Sequence, residues 1–154
     1  MTSRYGLEIR AATGGDAPGL VELLGSNGHA IPPRILAERL DTIRQEHGTV
    51  LIALEWGPPS GVVVLHWYRT LEAPQPIAQV TMLLVGIDER RRGVGRLLIK
   101  AGSQAARVAG CGALELLVPL EQPGLAAFCM ATGFTEAGTR FSRALRKGLK
   151  AEQT

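Results

Sequence analysis

The residues with the most pointed chemistry stand in one run, Arg90-Arg91-Arg92-Gly93-Val94-Gly95-Arg96. Two glycines one residue apart, at the entrance of a helix, let backbone N–H groups close on an anion with no Cβ in the way. The helix N-terminus adds about half a positive charge, and Arg91, Arg92 and Arg96 raise the local potential further. Such a turn suits a diphosphate, although a Gly-rich strand-to-helix turn that binds nothing carries the same letters. It is not a P-loop, because no G-x-x-x-x-G-K-[ST] occurs, and it lacks the third glycine of the dinucleotide fingerprint.

The remaining reactive side chains are few. His66 alternates with Val62, Val64 and Tyr68 on one face of an expected strand, where an imidazole is either a base or a satisfied sheet histidine. His29 falls in a loop and His47 at a helix end, and the three histidines lack metal-ligand spacing. Cys111 and Cys129 are 18 apart with no C-x-x-C, which reads as two buried thiols rather than a redox pair. No G-x-S-x-G elbow or Cys-His signature is present, so metal and triad chemistry are disfavoured.

Hydrophobic periodicity supplies the elements that must position these groups. Residues 7–11 read as a strand, and Thr13-Gly-Gly-Asp16 caps a helix running through Leu20, Leu23 and Leu24. Pro32-Pro33 opens a second, amphipathic helix that Gly48 stops. Residues 49–54 and 61–69 form an antiparallel hairpin around a Pro/Gly turn, and 79–87 is a further strand. A helix over 94–109, with Val94, Leu97, Leu98, Ala101, Ala105 and Val108 on one face, leads to a strand at 113–118. A helix over 122–132 and a pair of short strands over 134–145 complete the chain. The strand–helix–strand passage needs a crossover, so strands 79–87 and 113–118 should run parallel. The expected fold is α/β, or α+β. Its central sheet is mixed and mainly antiparallel, with a parallel pair and helices on both faces.

At 154 residues the chain is expected to form one domain, 1–154, with a basic C-terminal tail at 147–154 that frays. With 45% hydrophobic and 20% charged residues it is neither disordered nor fibrous, and its longest apolar runs are strand-sized, so no membrane partner is expected. The N-terminus lacks the apolar core of a secretory signal, which points to the cytoplasm. The charge is uneven, with 6 basic and 10 acidic residues before residue 90 and 11 basic and 4 acidic from there on. An anionic partner for the second half is therefore expected, either a phosphorylated cofactor or nucleic acid. The 7 aromatics do not interleave with the basic clusters, which disfavours nucleic acid. A homodimer rests only on its being the commonest homo-oligomer.

The arginine–glycine turn resembles the signature [QR]-x-x-G-x-[GA] of the GNAT superfamily of acyl-CoA-dependent N-acetyltransferases. Arg90-Arg91-Arg92-Gly93-Val94-Gly95 matches it, and Leu83-Leu84-Val85 stands where that family ends its preceding strand. The order of elements is also the family's, and Gly133-Phe134 matches the Gly-Phe after its fourth helix. The resemblance implies acetyl-CoA as cofactor and an amine as acceptor, with acetyl transfer by direct attack. It implies that backbone groups of Leu83 and Val85 hold the pantetheine arm between two parallel strands that splay apart, a splay that Gly86 would open as a bulge. Amides from Arg91 through Arg96 would cradle the pyrophosphate, and Phe128 would pack near the thiol end.

The sequence departs from the pattern at the acid and base. Many members carry a Tyr four residues before the Gly-Phe to protonate the leaving thiolate, and Cys129 stands there. The residue is either a thiol acid or a packing residue. Glutamates that members use as base are replaced by Gln79 and Leu117, so the pattern assigns no base: water-relayed deprotonation or an acceptor amine of low pKa would suffice, His66 is either a base or a satisfied sheet histidine, and Glu115 either lines the cleft or is isolated on the sheet. The alternative to an enzyme is a non-catalytic acyl-CoA-binding module of the same fold.

Overall fold

The computed structural model describes residues 6–87 and 93–146; Arg90, Arg91 and Arg92 and the tail 147–154 lie outside the described residues. The chain divides into two compact units, one up to Leu116 and one from Leu117 on.

In the first unit, β1 (Glu8–Ala11) leads through a 3-10 turn (Gly14–Asp16) into α1 (Ala17–Ser26) and α2 (Pro33–Gln45). The Asp16 carboxylate accepts the Thr13 N–H at 2.8 Å, which satisfies a donor at the helix entrance, and Arg10 grips both its oxygens at 2.9 and 2.8 Å. Pro33 opens α2, a position where a missing N–H is harmless. The strands β2 (Gly48–Leu54), β3 (Gly61–Tyr68) and β4 (Ile77–Val85) follow as an antiparallel meander. α3 (Val94–Val108) then carries the chain back so that β5 (Ala113–Leu116) lies parallel to β4. The sheet order is β1-β2-β3-β4-β5, the mixed and mainly antiparallel sheet expected.

Strand alternation assigns the two faces. Val50, Ile52 and Val62 meet Leu20, Leu23, Leu24, Leu36 and Leu40 of α1 and α2, with Val64, Met82 and Leu84 packed at the margin. Leu65 turns to the opposite face and packs on Gly102 of α3, where Leu98 is also fully buried. Burying each such leucine contributes roughly 1.5–3 kcal/mol.

Three local expectations are corrected. The bulge lies at Thr81, not Gly86: Val64 pairs with Met82 and Leu65 with Val80, so Thr81 is the extra residue, while Gly86 donates its N–H to Ser60 at 2.8 Å and prolongs the β3–β4 pairing. The bulge reverses the sidedness of β4, turning Ala78 and Val80 to the α3 face and Met82 and Leu84 to the α1–α2 face. Without it all four would fall on one face of the sheet. On α3 the buried row is Val94, Leu98, Ile99, Gly102 and Ala106, and Val108 is 79% exposed. Gly102 belongs to that row because Leu65 approaches within 3.3 Å of where a Cβ would stand. A count of apolar side chains overlooks a glycine contact of this kind. The strands expected over 134–145 are absent from the described residues, where Phe141 and Leu145 are exposed. Phe134, Phe141 and Leu145 are too irregularly spaced to line one face of a strand.

The second unit contains α4 (Pro123–Ala131). Gly133, at φ +96°, ends it, and the Phe134 N–H donates back to the Cys129 carbonyl at 3.0 Å.

Candidate functional site

Gly93 caps α3 in the left-handed conformation, φ +81°, and open space surrounds the position of a Cβ, so the backbone dihedral and not crowding calls for glycine. The first intrahelical bond runs from the Leu97 N–H to the Gly93 carbonyl at 3.1 Å. The amides of Val94, Gly95 and Arg96 precede that bond and lie at the positive end of the helix. The Arg96 side chain is exposed and Val94 is buried. These features fit a pyrophosphate: consecutive amides, no side chain on the capping residue, and a cation at the rim.

The cradle is held against the end of β4 by one close approach. A Cβ on Gly61 would lie 2.8 Å from Leu98 Cδ1, 3.0 Å from Val94 Cγ1 and 3.2 Å from the Leu84 carbonyl oxygen. Gly61 is also the cross-strand partner of Val85. The first turn of α3 therefore sits over the rung that ends β4. Sequence reading missed Gly61; its signal is a glycine opening an otherwise β-branched strand.

The β4–β5 ladder ends at Val80 and Leu116, while β4 continues to Val85. The bond from Gly86 to Ser60 fixes which way the backbone points there. By alternation the N–H and C=O groups of Met82 and Leu84 face β3, and those of Leu83 and Val85 face the open side beyond the ladder's end. Leu83 and Val85 thus offer main-chain donors and acceptors to an extended ligand, whereas the Leu84 side chain packs at the core margin.

His66 lies at the other end of β3, five residues from Gly61, or roughly 17 Å along the strand. It is half-buried and stands on a rung that crosses four strands, Gly48, His66, Gln79 and Glu115. Tyr68 is one alternation on; partial burial, with the Glu115 carboxylate nearby, pushes its hydroxyl above the ordinary tyrosine range. His29 is exposed, its N–H given to the Leu24 carbonyl at 2.9 Å, and His47 holds φ +53° after α2. Sequence reading placed Glu115 in the cleft or alone on the sheet; its link to Tyr68 depends on register between strands distant in the chain.

In the second unit Phe128 is half-buried and Cys129 buried, both on α4. Burial pushes the Cys129 thiol up, so it is protonated at neutral pH, a form that donates a proton and is a poor nucleophile. An open groove of about 440 Å³, lined by Ile9, Leu51, Trp67, Ala101, Ala105 and Val108, lies against the C-terminal half of α3, away from Gly93.

Among solved structures, the chain is similar to a Trypanosoma brucei acetyltransferase (22% identity, 90% of this chain and 99% of that one covered, TM-score 0.79). It is also similar to an aminoglycoside acetyltransferase from an uncultured soil metagenomic sample, solved with sisomicin (20% identity, 92% and 98% covered, TM-score 0.77). A third similar structure is the glucosamine-6-phosphate N-acetyltransferase of Arabidopsis thaliana (16% identity, 91% and 99% covered, TM-score 0.75). At these identities the likeness establishes the fold. No curated protein matches the sequence. The family model of the acetyltransferase (GNAT) family matches residues 20–134. That span takes in β4, the arginine–glycine turn, α3, α4 and the Gly-Phe after it, and the chain belongs to the acetyltransferase (GNAT) family.

Proposed function

We infer that the chain transfers an acetyl group from acetyl-CoA to an amine of a small molecule or peptide by direct attack. One observation carries the reading. The left-handed Gly93 cap opens α3 over the end of β4, where Leu83 and Val85 present backbone groups beyond the last rung shared with β5. In this reading the amides from Gly93 to Arg96 bind the pyrophosphate, with Arg90, Arg91 and Arg92 adding charge. Leu83 and Val85 hold the pantetheine arm by main-chain bonds, a strand amide near Val85 steadies the developing oxyanion, and Phe128 packs against the thiol end. An oxyanion contact of that kind contributes about 3 kcal/mol to the transition state.

The acceptor ammonium loses one proton through a water relay that ends on His66, which lies roughly 17 Å along β3 from the rung of Val85; the nitrogen then forms a bond to the acetyl carbonyl carbon, the carbon–sulfur bond breaks, and Cys129 gives a proton to the departing sulfur. The second nitrogen proton leaves as the amide forms and restores the Cys129 thiol. Gln79, which cannot act as a base, is the cross-strand partner of His66, so an imidazole neighbours the position where some relatives carry a glutamate. The test is thiol release from acetyl-CoA against a panel of amines. Release that depends on an amine and falls in His66→Ala supports the reading. Acetyl-CoA binding with no release to any amine supports the non-catalytic module instead.

A further inference from the structure

The tip between β2 and β3 carries Trp56, which is 83% exposed, although tryptophan is on average a highly buried residue. The ring does not ride on a loose loop. Pro59 is buried against α1, where a Cβ on Gly19 would stand 2.8 Å from Pro59 Cδ. Ser60 donates its N–H to the Ala53 carbonyl at 2.8 Å and its hydroxyl to the same oxygen at 3.2 Å, and its own carbonyl accepts the Gly86 N–H at 2.8 Å. Pro58 and Pro59 restrict the backbone between these anchors. A large flat ring is thus presented to solvent on a fixed mount.

That mount stands at the end of the sheet where the anion cradle lies. The Ser60–Gly86 bond ties the tip to the exit of β4, the first turn of α3 packs on Gly61, and Ile87, the residue after Gly86, is itself 59% exposed. Ala53 pairs with Gly61, and Trp56 is three residues further on, so its Cα lies within about 11 Å of Ala53. The indole side chain and the sugar that separates a diphosphate from its base together cover such an interval.

We propose that Trp56 stacks on the adenine of bound coenzyme A, so that the β2–β3 tip forms a base subsite beside the pyrophosphate cradle. The proposal rests on the acetyltransferase reading, which supplies the ligand. Coenzyme A carries the two groups that this end of the sheet is built to meet, a diphosphate for the amides of α3 and a planar base for an exposed indole. A stack on one face of an exposed ring falls at the lower end of base–aromatic contacts, about fivefold to tenfold in affinity.

The experiment is titration calorimetry of acetyl-CoA and of S-acetylpantetheine, which lacks the nucleotide, into the wild-type chain, Trp56→Ala and Trp56→Phe. Trp56→Ala should weaken acetyl-CoA about fivefold to tenfold, and Trp56→Phe should restore most of that loss, with S-acetylpantetheine indifferent to both changes. Trp56 and the half-buried Trp67 are the chain's two tryptophans, so in Trp67→Phe the emission reports Trp56 alone. Acetyl-CoA and adenosine 3′,5′-bisphosphate should each change that emission saturably, and S-acetylpantetheine should not. Equal acetyl-CoA affinity in the wild-type chain and Trp56→Ala, or an emission unmoved at saturation, overturns the proposal and leaves the acetyltransferase reading standing. A Trp56→Ala protein that keeps its acetyl-CoA affinity but sediments at a lower mass also overturns it, and assigns the ring to an interface between copies. A folded wild-type chain that binds no acetyl-CoA overturns both.

Discussion

Replacing Gly61 by alanine tests whether the sheet holds the anion cradle in position. The added methyl would meet Leu98 Cδ1 at 2.8 Å, Val94 Cγ1 at 3.0 Å and the Leu84 carbonyl oxygen at 3.2 Å. Leu98 is fully buried and cannot swing away, and the carbonyl belongs to β4 itself. Relief requires the first turn of α3 to lift from the sheet, at a cost of about 2–3 kcal/mol for overpacking of this kind. Gly102→Ala is the matched control. Its methyl would touch only the Leu65 side chain, at 3.3 Å or more, and a better helix former offsets that strain by ~1 kcal/mol, so the net change is expected near zero. Urea unfolding should show a lower midpoint at unchanged slope for Gly61→Ala. Acetyl-CoA affinity should fall with it, although residue 61 lies outside the glycine motif. A Gly61→Ala protein as stable as wild type, with the same acetyl-CoA affinity, would refute the argument that this contact positions the cradle.

Other expectations concern charge and proton transfer. Asp16, held by Arg10 and the Thr13 amide, has its pKa lowered from 3.8 to about 2. Its contribution is therefore complete at neutral pH and lost as pH falls from about 4 towards 2; after solvent screening it amounts to ~1 kcal/mol. Asp16→Asn should be less stable at neutral pH and lose that part of the acid-unfolding limb, measured by denaturation at several pH values. Cys129→Ala should lower kcat about a hundredfold with acetyl-CoA affinity unchanged if the thiol is the acid; an unchanged kcat assigns Cys129 to packing.

Much of the architecture was legible because it depends on local signals. The glycines of the arginine run, the Pro/Gly turn between β2 and β3, and the strand–helix–strand passage around α3 each act within a few residues. The features that escaped depend on register. The Thr81 bulge exists because two stretches of β4 must bury side chains on opposite faces, which a single alternating pattern does not reveal. Gly61 and Gly102 are contacts made by a missing Cβ, and periodicity counts side chains that are present. Glu115 and Tyr68 are 47 positions apart in sequence, and only the pairing of both strands with β4 brings them together.

The central claim is that the Gly93 cap and the open end of β4 bind acetyl-CoA, and titration calorimetry with acetyl-CoA on the wild-type chain, Gly93→Val and Gly95→Val tests it most directly. Gly93→Val places a β-branched residue at φ +81°, a conformation strained for it by more than the ~1–2 kcal/mol of an ordinary residue, in otherwise open space. The account predicts saturable binding by the wild-type chain, abolished in both variants while they remain folded by circular dichroism. A folded wild-type protein that gives no saturable heat with acetyl-CoA, or glycine variants that bind as tightly as wild type, would contradict it.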